Sequence, residues 1–333
     1  MRLIKLLCTI SLLFFAAVSI AQDQKKYDER AEVQTFIAEM VEEDFDQAEL
    51  TALFAGAIYK QSIVDAISRP AERVLTWKEY QDIFLTDLRV SRGTEFIHEN
   101  RDALVRAEKE YGVPALIITS IIGVETMYGR NKGSYRVIDS LSTLAFDYPP
   151  RSKFFRQELK HFLRLAREEG RDPAEPIGSY AGAMGYGQFI SSSFREYAID
   201  FDGDGVRDIW TNKQDAIGSV ANYLSRHGWR RNEFVALPAS TPSNEARALF
   251  NVSLKPSSTV AEMTKVGVTV EENLAGEMTV SPMTLNGKQG EEHWLGLQNF
   301  YAITRYNHSK LYAMAVYQLS ERLKMSLLAS SDY

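Results

Sequence analysis

Pro114-Ala115-Leu116-Ile117-Ile118-Thr119-Ser120-Ile121-Ile122-Gly123-Val124-Glu125-Thr126-Met127-Tyr128-Gly129 is a strongly apolar stretch that holds a single carboxylate. Proline suits the first turn of a helix, where its missing N–H is not needed, and glycine suits the left-handed position past a helix end. The stretch therefore predicts a buried helix between Pro114 and Gly129. At helical spacing Glu125 shares a face with Ile118, Ile121, Ile122 and Tyr128, so its carboxyl projects from an apolar stripe. Loss of water disfavours the ionised form and raises a carboxyl pKa, which is the condition for a general acid that keeps its proton near neutral pH. A structural ion pair with Arg or Lys is the alternative use of such a glutamate, and the helix alone does not separate the two.

Outward from this helix, 333 residues with 45% hydrophobic and 25% charged side chains describe a globular chain and exclude a collagen, a low-complexity polymer or a disordered protein. A net charge of -6 argues against broad nucleic-acid binding, since a phosphate track needs an excess of Lys and Arg. Residues 1–21 read as a signal peptide. Arg2 and Lys5 give a positive start, Leu6 to Val18 an apolar run too short for a bilayer span, and Ser19-Ile20-Ala21 a small-residue cleavage site. Cleavage after Ala21 would leave 36 basic against 44 acidic residues. Cys8, the only cysteine, lies in the removed segment with most of the apolar run after it, the reverse of a lipoprotein signal. A soluble, non-lipidated exported protein without disulfides is expected.

Residues 22–106 show helical spacing, with Phe36, Met40, Leu50, Leu53 and Phe54 as apolar positions. Residues 107–233 carry the Gly-rich loops and form the expected catalytic core. Residues 234–300 change period: Val266, Val268 and Val270 alternate with Gly267 and Thr269, and Asn286-Gly287 signals a hairpin, so a small β-rich module is expected. Residues 301–333 return to a helix through Leu311, Met314, Ala315, Leu319 and Leu323.

Gly182, Gly185 and Gly187 interrupt the run Ser179-Tyr180-Ala181-Gly182-Ala183-Met184-Gly185-Tyr186-Gly187-Gln188-Phe189, which suits a loop approached closely by a ligand or another backbone. Tyr180, Tyr186 and Phe189 add flat faces for sugar C–H groups, while Ser179 and Gln188 can hydrogen-bond hydroxyl or acetamido groups. A plain connector before a helix started by a Ser193/Glu196 capping box is the alternative.

Gly123 to Gly129, Gly178 to Phe189, Ala216-Ile217-Gly218-Ser219-Val220-Ala221-Asn222-Tyr223 and His227-Gly228-Trp229 resemble the lytic murein transglycosylase B family. The likeness extends to Trp77–Tyr80 and Tyr306-Asn307 to Tyr312, and so covers most of the mature chain. It implies an α+β, mainly α fold: a lysozyme-like helical core with an N-terminal helical region and a small β-rich module. It also implies a periplasmic location and a groove for peptidoglycan glycan strands, and carries the catalytic glutamate onto Glu125. Ser179, Gln188, Tyr80, Tyr223, Tyr306, Asn307 and Tyr312 fall at substrate-side positions, although the tyrosines could be core and Asn307 could cap the last helix. The implied reaction uses one glutamate twice, as acid on the bond from N-acetylmuramic acid to N-acetylglucosamine and then as base on the muramic C6 hydroxyl. It leaves a 1,6-anhydro sugar and needs no catalytic cofactor. Asp139, Asp147 and Glu158 remain candidates for a second acid. A lysozyme-type hydrolase and a non-enzymatic calcium-dependent glycan-binding protein are the rival readings, and association with cell-wall synthesis machinery is left open.

Asp200-Phe201-Asp202-Gly203-Asp204-Gly205-Val206-Arg207-Asp208 matches the first part of an EF-hand loop. Asp200, Asp202, Asp204, the Val206 carbonyl and Asp208 are the expected ligands of a structural Ca2+. Thr211 stands where the closing Glu belongs, so Asp215 is the candidate for closure within residues 200–215. An ordinary Asp/Gly turn is the alternative. Lys132, Arg136, Arg151 and Lys153 could meet acidic peptide stems or simply be solvated surface.

Overall fold

The computed structural model describes residues 26–68 and 75–330. The signal peptide expected at residues 1–21, with Cys8, lies outside the described residues. The chain divides after Gly56 into two compact units, so the boundary falls inside the helical region expected for residues 22–106. In the first unit α1 (Ala31–Val41) and α2 (Gln47–Ala55) pack together, with Phe36 and Phe54 meeting edge to face at 5.7 Å. Asp46 caps α2 by accepting from the Glu49 N–H at 2.8 Å.

The second unit is mainly helical. Its helices are α3 (Gln61–Ser68), α4 (Trp77–Phe84), α5 (Asp87–Glu99), α6 (Arg101–Tyr111), α7 (Ala115–Thr126), α8 (Val137–Asp147) and α9 (Ser152–Glu168), followed by α10 (Ser191–Tyr197), α11 (Lys213–Arg226), α12 (Val260–Lys265), α13 (Gln298–Tyr306) and α14 (Lys310–Ala329). α7 is the interior helix, packed by α5, α6, α11 and α14. Ile117 to Val124 are all buried along it. A helix that is apolar all round gains its stability from such enclosure rather than from one amphipathic contact.

α7 ends at Thr126, three residues before the glycine expected to stop it. Met127 and Tyr128 take left-handed φ values of 50° and 59°. Thr126 holds this turn: its hydroxyl accepts from the Gly129 N–H at 2.9 Å and donates to the Tyr186 carbonyl at 2.9 Å. Tyr128 thus leaves the helical face it was expected to share with Glu125. Its ring folds back over Gly123, and its hydroxyl donates to the Arg89 carbonyl at 3.0 Å.

The β-rich module holds a four-stranded antiparallel sheet of order β3-β6-β5-β4, with β3 at Ala236–Pro238, β4 at Ser258–Thr259, β5 at Thr279–Gly287 and β6 at Gly290–Gly296. A second, two-stranded sheet pairs β1 (Tyr135–Arg136) with β2 (Ile177–Gly178). The hairpin signalled by Asn286-Gly287 is present, but Lys288-Gln289 form its turn and Asn286 pairs with Glu291 in the ladder. The alternating valines are not a strand. Thr259 and Glu262 form a reciprocal capping box that starts α12, after which Val268 drops into a small core with Leu237, Phe250, Met263 and Leu295. The Ser193/Glu196 box is not formed either. α10 already begins at Ser191, which puts Ser193 inside the helix.

A Cβ on Gly123 would stand 2.6 Å from the Tyr128 hydroxyl oxygen and 2.7 Å from its ring, closer than packed atoms approach. Gly123→Ala should therefore cost about 1–3 kcal/mol of overpacking strain, read as a lower urea midpoint with an unchanged slope.

Candidate active site

Glu125 sits in the last turn of α7, where the helix brings it out of the core with part of its surface still reachable by solvent. Protein crowds the carboxyl itself, and this burial pushes its pKa from the ordinary 4.5 up to about 7. The Tyr312 hydroxyl donates to Oε1 at 2.6 Å and pulls in the opposite direction, because it favours the carboxylate. Burial wins. The net rise disfavours the charged form by about 3 kcal/mol, so both protonation states are populated near neutral pH. Among the described residues no carboxylate and no guanidinium contributes to this shift.

Tyr312 reaches Glu125 from the first turn of α14, which Ser309 caps by accepting from the Tyr312 N–H. Its ring stacks on Tyr306 at 6.4 Å and 9°. Tyr306 in turn donates to the Gly187 carbonyl at 2.6 Å, and a Cβ on Gly187 would meet that hydroxyl at 2.7 Å, so glycine permits the approach. Tyr223, on α11, packs against Tyr306 at 4.7 Å and donates to the Arg305 carbonyl at 2.6 Å. Burial raises the pKa of Tyr80, and the negative charge of ionised Glu125 adds to the rise. Tyr80 stands on α4, whose start is fixed by a Thr76/Glu79 capping box. The structure thus brings Tyr312 onto Glu125, stacks Tyr306 on Tyr312 and packs Tyr223 against Tyr306, while Tyr80 and Tyr306 both feel the charge of the carboxylate.

Ser179 and Gln188 shape the glycine-rich loop. Ser179 Oγ accepts from the N–H groups of Ala181 and Ala183 at 3.2 and 3.0 Å. Gln188, at a left-handed φ of 52°, donates from Nε2 to the carbonyls of Gly185 and Lys132 at 3.0 and 3.3 Å. Neither is drawn to Glu125 by a hydrogen bond. Asn307 follows α13, is exposed, and does not cap α14. Of the aromatic faces expected in the loop, Tyr186 and Phe189 are buried: Tyr186 lies under Gly129 and Lys132, and Phe189 packs on Tyr223 and Tyr306. Only Tyr180 among the three is exposed. Thr126, which locks the turn after Glu125, gave no signal in the sequence beyond its neighbourhood.

Two of the three candidates for a second acid, Asp139 and Glu158, are engaged with other groups. Asp139 is buried, forms a two-point ion pair with Arg136, and accepts from the Ile58 N–H. Glu158 is buried and accepts from the Ser192 N–H at 3.0 Å.

In the acidic loop the carboxylates of Asp200, Asp202 and Asp204 converge, with one oxygen of each lying within 4.8 Å of the others. Asp200 also accepts from the N–H groups of Gly203, Asp204 and Gly205, which hold its pKa below the usual carboxylate value. Asp208 and Asp215 are not part of this cluster. Asp208 accepts from the N–H groups of Trp210 and Thr211 and from the Thr211 hydroxyl. Asp215 is fully buried and clasps the loop, accepting from the Phe201 and Asp208 N–H groups at 2.7 and 2.8 Å. Arg207 leaves the loop to bond Glu169 on its other side.

The family model of the transglycosylase SLT domain matches residues 28–321. The chain is 41% identical over 303 residues to the membrane-bound lytic murein transglycosylase B of Escherichia coli K12, across 88% of this chain and 82% of that protein. With the catenated lytic transglycosylase SltB1 of Pseudomonas aeruginosa it shares 52% identity at a TM-score of 0.87, covering 90% of this chain and 99% of that one. With the Escherichia coli lytic transglycosylase Slt35 in complex with calcium the values are 40% and 0.83, over 90% and 95%. A helical core built around α7 and a domain match running from residue 28 to residue 321 lead to one conclusion: the chain belongs to the transglycosylase SLT domain family.

Proposed function

We propose that this chain is a lytic transglycosylase that cleaves the β-1,4 bond from N-acetylmuramic acid to N-acetylglucosamine in peptidoglycan, with Glu125 as both acid and base. The observation that carries the reading is a lone carboxyl poised near neutrality, held by one tyrosine hydroxyl and influenced by no other acid among the described residues. Glycosidases that add water usually pair an acid with a second carboxylate. Protonated Glu125 gives its proton to the linking oxygen as the C1–O bond breaks. The resulting carboxylate takes the proton from the muramic C6 hydroxyl as that oxygen bonds to C1. Glu125 ends protonated, no water is consumed, and the product is a 1,6-anhydro end. The Tyr312 bond fixes Oε1, so the carboxyl presents the same oxygen for both transfers. Ser179, Gln188, Tyr80, Tyr223, Tyr306 and Asn307 are proposed to border the glycan, with Tyr223 acting through Tyr306.

We further propose that Asp200, Asp202 and Asp204 hold a structural Ca2+. Three oxygens with no nitrogen or sulfur donor suit a hard cation, which would offset the mutual repulsion of the carboxylates. The likeness to Slt35, solved in complex with calcium, supports this reading. Asp208 and Asp215 are then braces of the loop rather than direct ligands. We place the mature protein in the periplasm, on the strength of the expected signal peptide. Its relative transglycosylase B is named as membrane-bound.

Digestion of purified peptidoglycan followed by mass spectrometry should give muropeptides one water lighter than lysozyme products; hydrated reducing ends would reject the cyclising step. Glu125→Gln should lower turnover by about 100-fold or more, and equal wall clearing by both proteins would remove Glu125 from its role. Activity should fall as pH rises through about 7, since the first step needs the protonated acid. Tyr312→Phe removes the bond that favours the carboxylate, so the alkaline limb should move upward by about one pH unit; a limb that stays or moves down would contradict this assignment. Calcium at about 100 times its Kd should stabilise the chelated protein by about 2.7 kcal/mol, measured as a rise in Tm, and Asp200→Ala should abolish the response.

A further inference from the structure

Lys310 opens α14 two residues before Tyr312, and the two side chains leave the helix in nearly opposite directions. Tyr312 goes to Glu125, while Lys310 goes to the β-rich module, where Nζ donates to Asn251 Oδ1 at 2.5 Å and to the Thr284 carbonyl at 3.1 Å. Both partners are neutral. Among the described residues no carboxylate pairs with Lys310, and half-burial lowers its pKa with no counter-charge to oppose the fall. One of its three donors is left over.

That donor borders a cavity of about 300 Å3, lined also by Arg247, Asn286 and Glu291. The charges around it are two cations against one carboxylate, and the carboxylate is the one already paired with Arg247 at 2.9 Å. Asn251, held at a left-handed φ of 62°, spends its side-chain oxygen on Lys310 and on the Thr284 N–H, which leaves its NH2 to donate. The exposed Asn286 supplies another amide. With Glu291 taken by Arg247, Lys310 is the cation of this lining that has no carboxylate partner among the described residues, and amide donors stand beside it. The hollow of similar size beside Lys132 and Arg171 differs: Asp172 and Glu175 balance its cations, and Lys132 is bound to the Trp210 carbonyl at 2.6 Å. Arg136 and Arg151 are likewise engaged, the first with Asp139 and the second over the Phe154 and Phe155 rings.

We propose that this cavity, with Lys310 as its anchor and Asn251 and Asn286 as its amide donors, takes a carboxylate of the acidic peptide stem carried by the muramic residue. The inference rests on the peptidoglycan reading above and deepens it. A neutral sugar would leave the lysine without a counter-ion and would need an open aromatic face, whereas Phe250, the ring in this lining, is buried edge-on against His293. The cavity lies on the order of 15 Å from Glu125, a side chain on either side of one helix, which four to five extended residues can span. Lys310 is therefore a specificity residue that selects glycan still bearing its stems.

The test is calorimetric binding to full-length Glu125→Gln protein, chosen to slow turnover during the titration. The probe is a muramic disaccharide with an acidic tetrapeptide stem, compared with the same compound after its carboxylates are converted to amides. The acidic form should bind about 5–20-fold more tightly, and Lys310→Gln in the same background should reduce that ratio to about one. A ratio near one before the substitution, or one that survives it, overturns the proposal. Should Lys310→Gln fail to fold, side-chain amide resonances of Asn251 and Asn286 are followed in the parent protein as the acidic compound is added; shifts with it and none with the amidated compound support the pocket, and their absence overturns it. Equal binding of both forms rejects only the stem pocket. Failure to bind either form rejects it together with the peptidoglycan reading.

Discussion

The structure depends on holding one carboxyl where water is scarce. Enclosing α7 between α5, α6, α11 and α14 creates that setting, because its last turn then emerges into protein rather than into bulk solvent. A carboxyl in such a place would favour the neutral form more strongly still were it not for the Tyr312 hydroxyl. The balance between burial and that hydrogen bond sets the value near 7. Each opposing influence comes from a different part of the chain, α7 for the first and α14 for the second, so the acid is tuned only when the fold is complete.

The rings around the carboxyl are fixed in the same way. Tyr306 and Tyr223 do not leave their hydroxyls free; each donates to a backbone carbonyl, at Gly187 and Arg305. A buried phenol without a partner would cost free energy, and a carbonyl so engaged cannot drift. The glycine-rich loop, α11 and α13 are thereby tied to one aromatic cluster. The acidic loop makes its own ties, through Asp215 to both of its ends and through Arg207 to Glu169. A cation held by Asp200, Asp202 and Asp204 would act on a framework already closed by neutral and charged hydrogen bonds.

Much of this was readable from residue order, and the misses have physical causes. The burial of α7 and the isolation of Glu125 follow from local composition, so they could be read from sixteen residues. The stop of α7 could not, because it is imposed by Thr126 bonding to Tyr186, sixty positions on. The valines from Val266 to Val270 read as a strand by period, yet Thr259 and Glu262 had already committed the preceding residues to a helix, and capping outweighed a short alternation. The Ser193/Glu196 pattern failed for the opposite reason: the helix begins at Ser191, three residues before the box would start it, which left no N-cap for Ser193 to occupy. Lys310 carried no motif at all. Its lack of a carboxylate partner is a property of the β-rich module folding against the first turn of α14 and has no local signature.

Two consecutive non-glycine residues in left-handed geometry, Met127 and Tyr128, follow the catalytic candidate directly. Each such residue carries a penalty of about 1 kcal/mol, which the surrounding contacts must outweigh. Tyr128 supplies part of them, since its ring covers Gly123 and its hydroxyl donates to the Arg89 carbonyl. A protein engineer seeking a hardier wall-cleaving catalyst therefore has a specific address: asparagine or glycine at 127 would release stored conformational tension next to Glu125, and the gain in robustness would be weighed against how rigidly its carboxyl is then aimed.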